Sequence, residues 1–388
     1  MHEEFDSFIP IGDKAGKADD NLESAIFNKY GIGISTNRDT WAYNYSKDNL
    51  LKNMDRFIET YNSEVVRFQN KLKSKEKISI DNFVLNDDTK IKWSSRLKEC
   101  LSRFEYAEYS KEKVRVGLYR PYCSQFIYFD RILIHRVSQF PHIFSNVETE
   151  NKLICVTAVG NKKPFQCLAT NVISDLHLTG DSQCFPFYIY NEDGSNRCEN
   201  ITDWALEQFQ THYNDKQISK WDIFYYTYAL LHHPEYREKY EANLKRELPR
   251  IPYAPEFHKF AEAGKKLADL HINYETQAEY PLEMIENESE QVDWRVEKMK
   301  YNKDKTQIVY NDFLTLAGIP PEAYEYHLGN RSALDWIVDQ YQVSTDKRSD
   351  ITNDPNREND KQYIVRLVKK IVTVSLETVK IVKTLSKI

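Results

Sequence analysis

The spacing of apolar residues changes period more than once along this chain. Residues 47–73 place Leu50, Leu51, Met54, Phe57, Ile58, Tyr61 and Val65 at three-and-four intervals between charges, which predicts one long helix. Just before it, residues 32–45 alternate briefly and are broken by Asn37 and Asp39, the pattern of two strands joined by a turn. From 113 to 189 the apolar residues come in short runs, at 114–119, 126–129, 153–159 and 185–190, bounded by Gly, Pro, Asn and Asp. That stretch is predicted to be mostly strand. Past Asn200 the helical period returns, over 201–213, 222–231, 235–247 and 255–270, the third started by Pro234 and stopped before Pro249. Residues 292–296 and 307–310 are predicted strands around a turn at 302–305, a small satellite sheet. Finally, Ile364, Leu367, Val368, Ile371, Ser375, Thr378, Val379 and Val382 predict a terminal helix over 363–385 despite many β-branched residues. A helix closing the core accounts for it more readily than a partner-binding one.

These periods add up to an α+β fold with a β-rich N-terminal half holding one long helix, a mainly helical C-terminal half and a small satellite sheet. The expected divisions are 1–24, 25–200 and 201–388, with the last part packed on the middle one. Residues 1–24 carry seven acidic and two basic residues, and read as an acidic leader or the remnant of a preceding domain.

Composition narrows the class. With 388 residues, 29% charged and 13% aromatic, the chain can bury a large core without disulfides or metals. The net charge of -6 argues against a uniformly basic nucleic-acid binder but hides any local basic face. Six cysteines at irregular spacing, without a Cys-x-x-Cys pair, suggest neither a zinc site nor a disulfide framework and fit a reducing cytoplasm. No signal-peptide pattern stands at the N-terminus, and no apolar run approaches the roughly 18 residues of a membrane span.

Catalytic motifs are not apparent. Residues 12–18 are one residue short of a phosphate loop and end in Ala18 where a magnesium-binding hydroxyl should stand. Gly31 and Gly33 lack the third glycine of a dinucleotide fingerprint. Asn353-Asp-Pro-Asn356 lacks the second proline and the aromatic residue of the tetrapeptide with which amino-methyltransferases grip an extruded base, so it reads as a polar turn. His232 and His233 are adjacent on one helix, point different ways and find no third ligand at useful spacing. The expectation is therefore no catalytic residue, no bound cofactor and no metal in this chain.

Local charge is more informative. Between Lys111 and Arg136 six basic residues face two acidic ones, interleaved with Tyr119, Tyr122, Phe126, Tyr128 and Phe129. Arg115, Arg120, Arg131 and Arg136, with Tyr122, are candidates for gripping phosphates or base edges. A strand pair with a basic solvent face over an aromatic core explains the same pattern and is commoner on composition alone. Residues 235–250 carry five basic and four acidic residues, as a salt-bridged exposed helix would.

Several long segments in order carry a resemblance: residues 119–130 (YRPYCSQFIYFD), 181–190 (DSQCFPFYIY), 222–237 (DIFYYTYALLHHPEYR), 243–252 (NLKRELPRIP), 267–275 (LADLHINYE) and 331–336 (RSALDW), followed by 341–347 and 353–356. From about residue 25 to the C-terminus the chain resembles the C-terminal specificity region of type ISP restriction-modification enzymes, with a trailing edge of the methyltransferase suggested at 32–45. Full-length members join a nuclease, an ATP-driven translocase, an adenine-N6 methyltransferase and a target-recognition domain. The resemblance implies sequence-specific binding of double-stranded DNA in the bacterial cytoplasm, in phage defence. S-adenosylmethionine, ATP and Mg are implied for the full-length enzymes only. Methyltransferase and translocase or nuclease domains are the implied partners, in cis or in trans. Lys162, Lys163, Lys347 and Arg348 join the DNA-contact candidates as loop residues. Two other readings stay open: an accessory subunit completing a separately encoded enzyme, and a protein-interaction scaffold that does not touch DNA.

Overall fold

The computed structural model describes residues 2–13, 24–73 and 79–388. Its centre is a four-stranded antiparallel sheet ordered Gly31–Ile32, Gln183–Pro186, Leu153–Val156, Cys167–Thr170. The sheet is apolar on both faces. Leu153, Cys155, Leu168 and Cys184 point into one core, while Ile154, Val156, Cys167, Ala169 and Phe185 point into another. A strand buried on both sides has no solvent face to make polar, which is why its sequence is a continuous apolar run rather than an alternation.

A second sheet, ordered Tyr43–Asn44, Cys123–Tyr128, Val114–Arg120, Ile173–Ser174, is antiparallel except for its last pair. It packs against the predicted long helix, observed as Lys47–Lys73, whose Leu50, Met54, Phe57, Tyr61 and Val65 form a third core with Trp41, Leu97 and Leu133. The hairpin of Ser344–Thr345 and Thr352–Asn353 docks here too. Ile351 enters that third core, while Asn353 accepts from the Tyr45 N–H at 2.9 Å and donates to Gln125 at 3.0 Å. The 353–356 segment is thus a staple, with Asp354 paired to Arg295 at 2.8 Å.

Helices cover the other face of the central sheet. Lys220–His232 is started by a capping box from Ser219 and Asp222 and is buried nearly all round. Phe257–Ile272 lies against it, and Tyr363–Lys383 closes the assembly as expected of a terminal helix. A buried polar chain ties them together: Tyr228 Oη bonds His271 Nδ1 at 2.6 Å, and His271 Nε2 bonds Thr378 Oγ1 at 2.8 Å. The satellite sheet runs Glu283–Glu286, Leu314–Ala317, Gln307–Val309, Lys300–Tyr301.

The architecture is α+β, and it departs from the pattern-based expectations in four places. Residues 2–13 are no solvated leader: Phe5, Ile9 and Ile11 are buried and Ile9–Pro10 pairs with Arg250–Ile251. Their apolar side chains outweighed the charge once a docking edge was present. The strands within 32–45 belong to different sheets, because residues 36–42 are committed to a clamped loop and the short helix Asp39–Ala42. Residues 292–296 form no strand; Asn311 and Asn356 side chains take their backbone groups in place of a ladder. The helix expected over 235–247 is two short ones, Pro234–Lys239 and Glu241–Leu244, broken at Tyr240, whose ring packs on Phe5 and Phe8.

Candidate nucleic-acid interface

Glycine at position 33 brings two segments into contact. A Cβ there would sit 2.5 Å from the Asp175 carbonyl oxygen, so only glycine lets residues 33–35 run against 174–176. The Ile34 N–H then donates to Ser174 O, and the Leu176 N–H to Ile34 O. Gly33 therefore serves close packing of backbone, while Gly31 makes room for the Gln139 and Ser138 side chains. Residues 14–18 of the short phosphate-loop look-alike lie outside the described residues.

The juxtaposition opens a polar cavity of about 300 Å³ lined by Ser35, Thr36, Asn37, Asp39, Thr40, Lys92, Asp175 and His177. Beneath it lies Arg120. Its Nη1 donates to Asp175 Oδ1 at 2.8 Å and to Tyr119 O at 2.6 Å, its guanidinium stacks 3.8 Å over the Tyr119 ring, and Nη2 is 4.0 Å from Asp39. Burial, with the Asp39 charge adding to it, raises the Asp175 carboxyl against the pull of Arg120. Tyr43 donates to the second Asp175 oxygen at 3.2 Å.

The loop 36–39 is held by Arg38, which is fully buried. Its guanidinium donates to Leu133 O, to Lys92 O at 3.1 Å and to Ser94 Oγ at 2.6 Å. Burial lowers its pKa to about 10, still high enough to keep the charge at neutral pH.

Three sequence-predicted groups lie outside the cavity lining, on segments linked to it through neighbouring residues. Arg136 is exposed, and its backbone pairs both ways with Ser35. Lys162 and Lys163 lie on an exposed loop whose Asn161 donates to Asp181 at 3.3 Å, Asp181 in turn lying 3.7 Å from His177. Lys347 and Arg348 form the exposed tip of the docked hairpin, and the Asp346 beside them feels the charge of Lys92. None of these five cations has a carboxylate within ion-pair distance among the described residues.

The other four candidates are placed differently. Arg120 is engaged internally, as above. Arg131 is exposed but paired with Glu192 at 2.5 Å. Arg115 is half-buried, with its Nε lacking a partner and its pKa lowered by burial. Tyr122 is fully buried in the hairpin turn, its hydroxyl 2.9 Å from that of Tyr326, so it presents nothing to a ligand. Hairpin closure, not exposure, is what its aromatic neighbours in the sequence reflected. Asn37, Lys92 and His177 were missed. The run Ser35-Thr-Asn-Arg-Asp-Thr40, six polar residues between Ile34 and Trp41, was the available signal for the first.

His232 and His233 end the aromatic helix, His232 donating to Tyr228 O at 2.9 Å and His233 Nε2 lying 3.1 Å from Ser386 O. Among the described residues no His, Cys, Asp and Glu cluster could hold a metal ion, and no helix is long and apolar enough to cross a membrane.

The model of the Type ISP C-terminal specificity domain matches residues 25–367. Among solved structures, the chain is 35% identical to a nuclease-deletion mutant of the Type ISP restriction-modification enzyme LlaGI in complex with a DNA substrate mimic, with a TM-score of 0.87 over 99% of this chain. It is 34% identical to DrdV in a DNA complex (TM-score 0.88, 98% covered) and 31% identical to the ATP-dependent Type ISP enzyme LlaBIII bound to DNA (0.86, 99%). The chain spans 34%, 38% and 25% of those three chains, respectively. No curated protein matches it.

Proposed function

We propose that this chain, which belongs to the Type ISP C-terminal specificity domain family, grips double-stranded DNA sequence-specifically through the face around the polar cavity. The observation that supports this is that five exposed cations, from three segments remote in sequence, have no carboxylate within ion-pair distance among the described residues and stand on segments linked to the cavity lining through Ser35, His177 and Lys92. Such cations fix register on phosphates, while groups in the cavity read base edges. The adenine-N6 methylation and ATP-dependent cleavage of a restriction-modification enzyme would then be carried by other domains, which would hold S-adenosylmethionine, ATP and Mg. The resident compartment of such an assembly is the bacterial cytoplasm.

The test is salt-dependent affinity for duplex DNA. Replacing Arg136, Lys162, Lys163, Lys347 and Arg348 together by Ala is expected to flatten the plot of log affinity against log salt by about 0.9 for each phosphate no longer neutralised, so by up to about 4.5. An unchanged slope would overturn the assignment. Arg120→Ala should behave oppositely. It strips the buried Asp175 of its counter-charge, so a stability loss of about 3 kcal/mol in urea unfolding is expected with the salt slope intact.

A further inference from the structure

Asn37 lines the cavity yet is neither a phosphate-binding cation nor part of the core. We propose that it reads a base, taking the edge of an adenine with its amide oxygen on the N6 amino group and its amide N–H on N7. This rests on the reading of the chain as a DNA-binding module and names the residue and base chemistry through which that module discriminates.

Three observations converge on it. The first is preorganisation. Thr36 and Arg38 on either side are buried to within 1% exposure, Thr36 Oγ1 accepts from the Arg38 N–H at 3.0 Å and bonds Asp39, and Arg38 is anchored on Leu133, Lys92 and Ser94. Asn37 between them has a φ of 54°, a left-handed conformation that Asn tolerates better than most residues. A locked backbone on both sides fixes where the Asn37 side chain leaves the loop, which lowers the backbone ordering cost on binding.

The second is unused hydrogen-bonding capacity. Among the described residues the only hydrogen bond of the Asn37 side chain is one accepted from the Ser35 hydroxyl at 3.3 Å, and its amide N–H groups have no partner there. A paired donor and acceptor on one planar group is the complement of the adenine edge.

The third is the charge of the floor. Asp39 and Asp175 sit against Arg120, with Lys92 on the cavity wall, so the charges balance and the cavity itself offers phosphate no net attraction. The phosphates fall instead to Arg136 and the two loop pairs.

Selection from random duplexes with the whole chain, its Asn37→Gly variant and its Asn37→Asp variant tests this. Glycine accepts the left-handed φ without strain, so it removes the side chain alone. Wild type is expected to enrich a motif containing one adenine whose preference falls roughly tenfold or more in Asn37→Gly. Asn37→Asp, which keeps acceptors and loses the donor, should move that position toward cytosine. If both variants return the wild-type motif with relative affinities within twofold, or weaken all sequences alike with a flatter salt slope, Asn37 is not a base reader. A wild-type chain that enriches no motif would sink the DNA-binding reading itself and this proposal with it.

Discussion

Lowering the pH from 7 to 5 is expected to cost the folded chain roughly 2 to 3 kcal/mol of stability, well before its carboxylates are fully titrated. The cause is the buried pair His232 and His271. Both are fully enclosed, and burial first, then the nearby Arg237 charge, pushes their pKa values down, His271 to about 3 and His232 well below its usual range. In the unfolded chain each titrates near 6.5. Below that pH the unfolded state binds protons that the native state refuses, so stability is present above the unfolded value and falls as pH drops, by about 1.4 kcal/mol per unit for each histidine. Over this interval the pair contributes a loss of about 4 kcal/mol. Asp175 acts in the other direction, since its raised carboxyl takes a proton earlier in the native state, and it returns about 1 kcal/mol.

The hydrogen bonds explain why the native state resists. Thr378 donates to Val374 O, so its oxygen is free to accept from His271 Nε2, which leaves Nδ1 to accept from Tyr228. A second proton on His271 would set two donors against each other in a dry site. Urea unfolding at both pH values measures the loss. His271→Gln should remove about half of the histidine contribution, and an identical pH dependence in that variant would refute the assignment.

Gly264→Ala is expected to destabilise the chain by about 3 kcal/mol, although alanine in mid-helix ordinarily gains about 1 kcal/mol over glycine. The reversed sign comes from helix contact. A Cβ at 264 would fall 1.8 Å from the Tyr225 carbonyl oxygen, main chain that no rotamer change can move. Phe257–Ile272 and Lys220–His232 would have to separate, loosening Phe224, Tyr228 and Phe260 in the core they share. A urea midpoint unchanged or raised in Gly264→Ala would show that the helices have slack.

Much of the scaffold was legible because its residues repeat a local period. The long helix Lys47–Lys73 and the terminal helix Tyr363–Lys383 each carry an apolar stripe that only a helix can bury on one side. The site was legible only in part. Arg120, Arg131 and Arg136 look alike in sequence, yet one is an internal counter-ion, one is paired with Glu192 and one is free. Their difference lies in the position of Asp175 and Glu192, more than fifty residues away along the chain.

The sequence by itself therefore determined the long helices, the family and the existence of a basic aromatic segment, since each follows from residues near one another along the chain. The tertiary structure alone decided which charges are available and where they meet. Gly33 admits one backbone against another beside the Ser35–Arg136 pairing, and Ile351 pulls a remote hairpin into a shared core. Solvation and charge pairing depend on distance in space, and no period in the sequence encodes that.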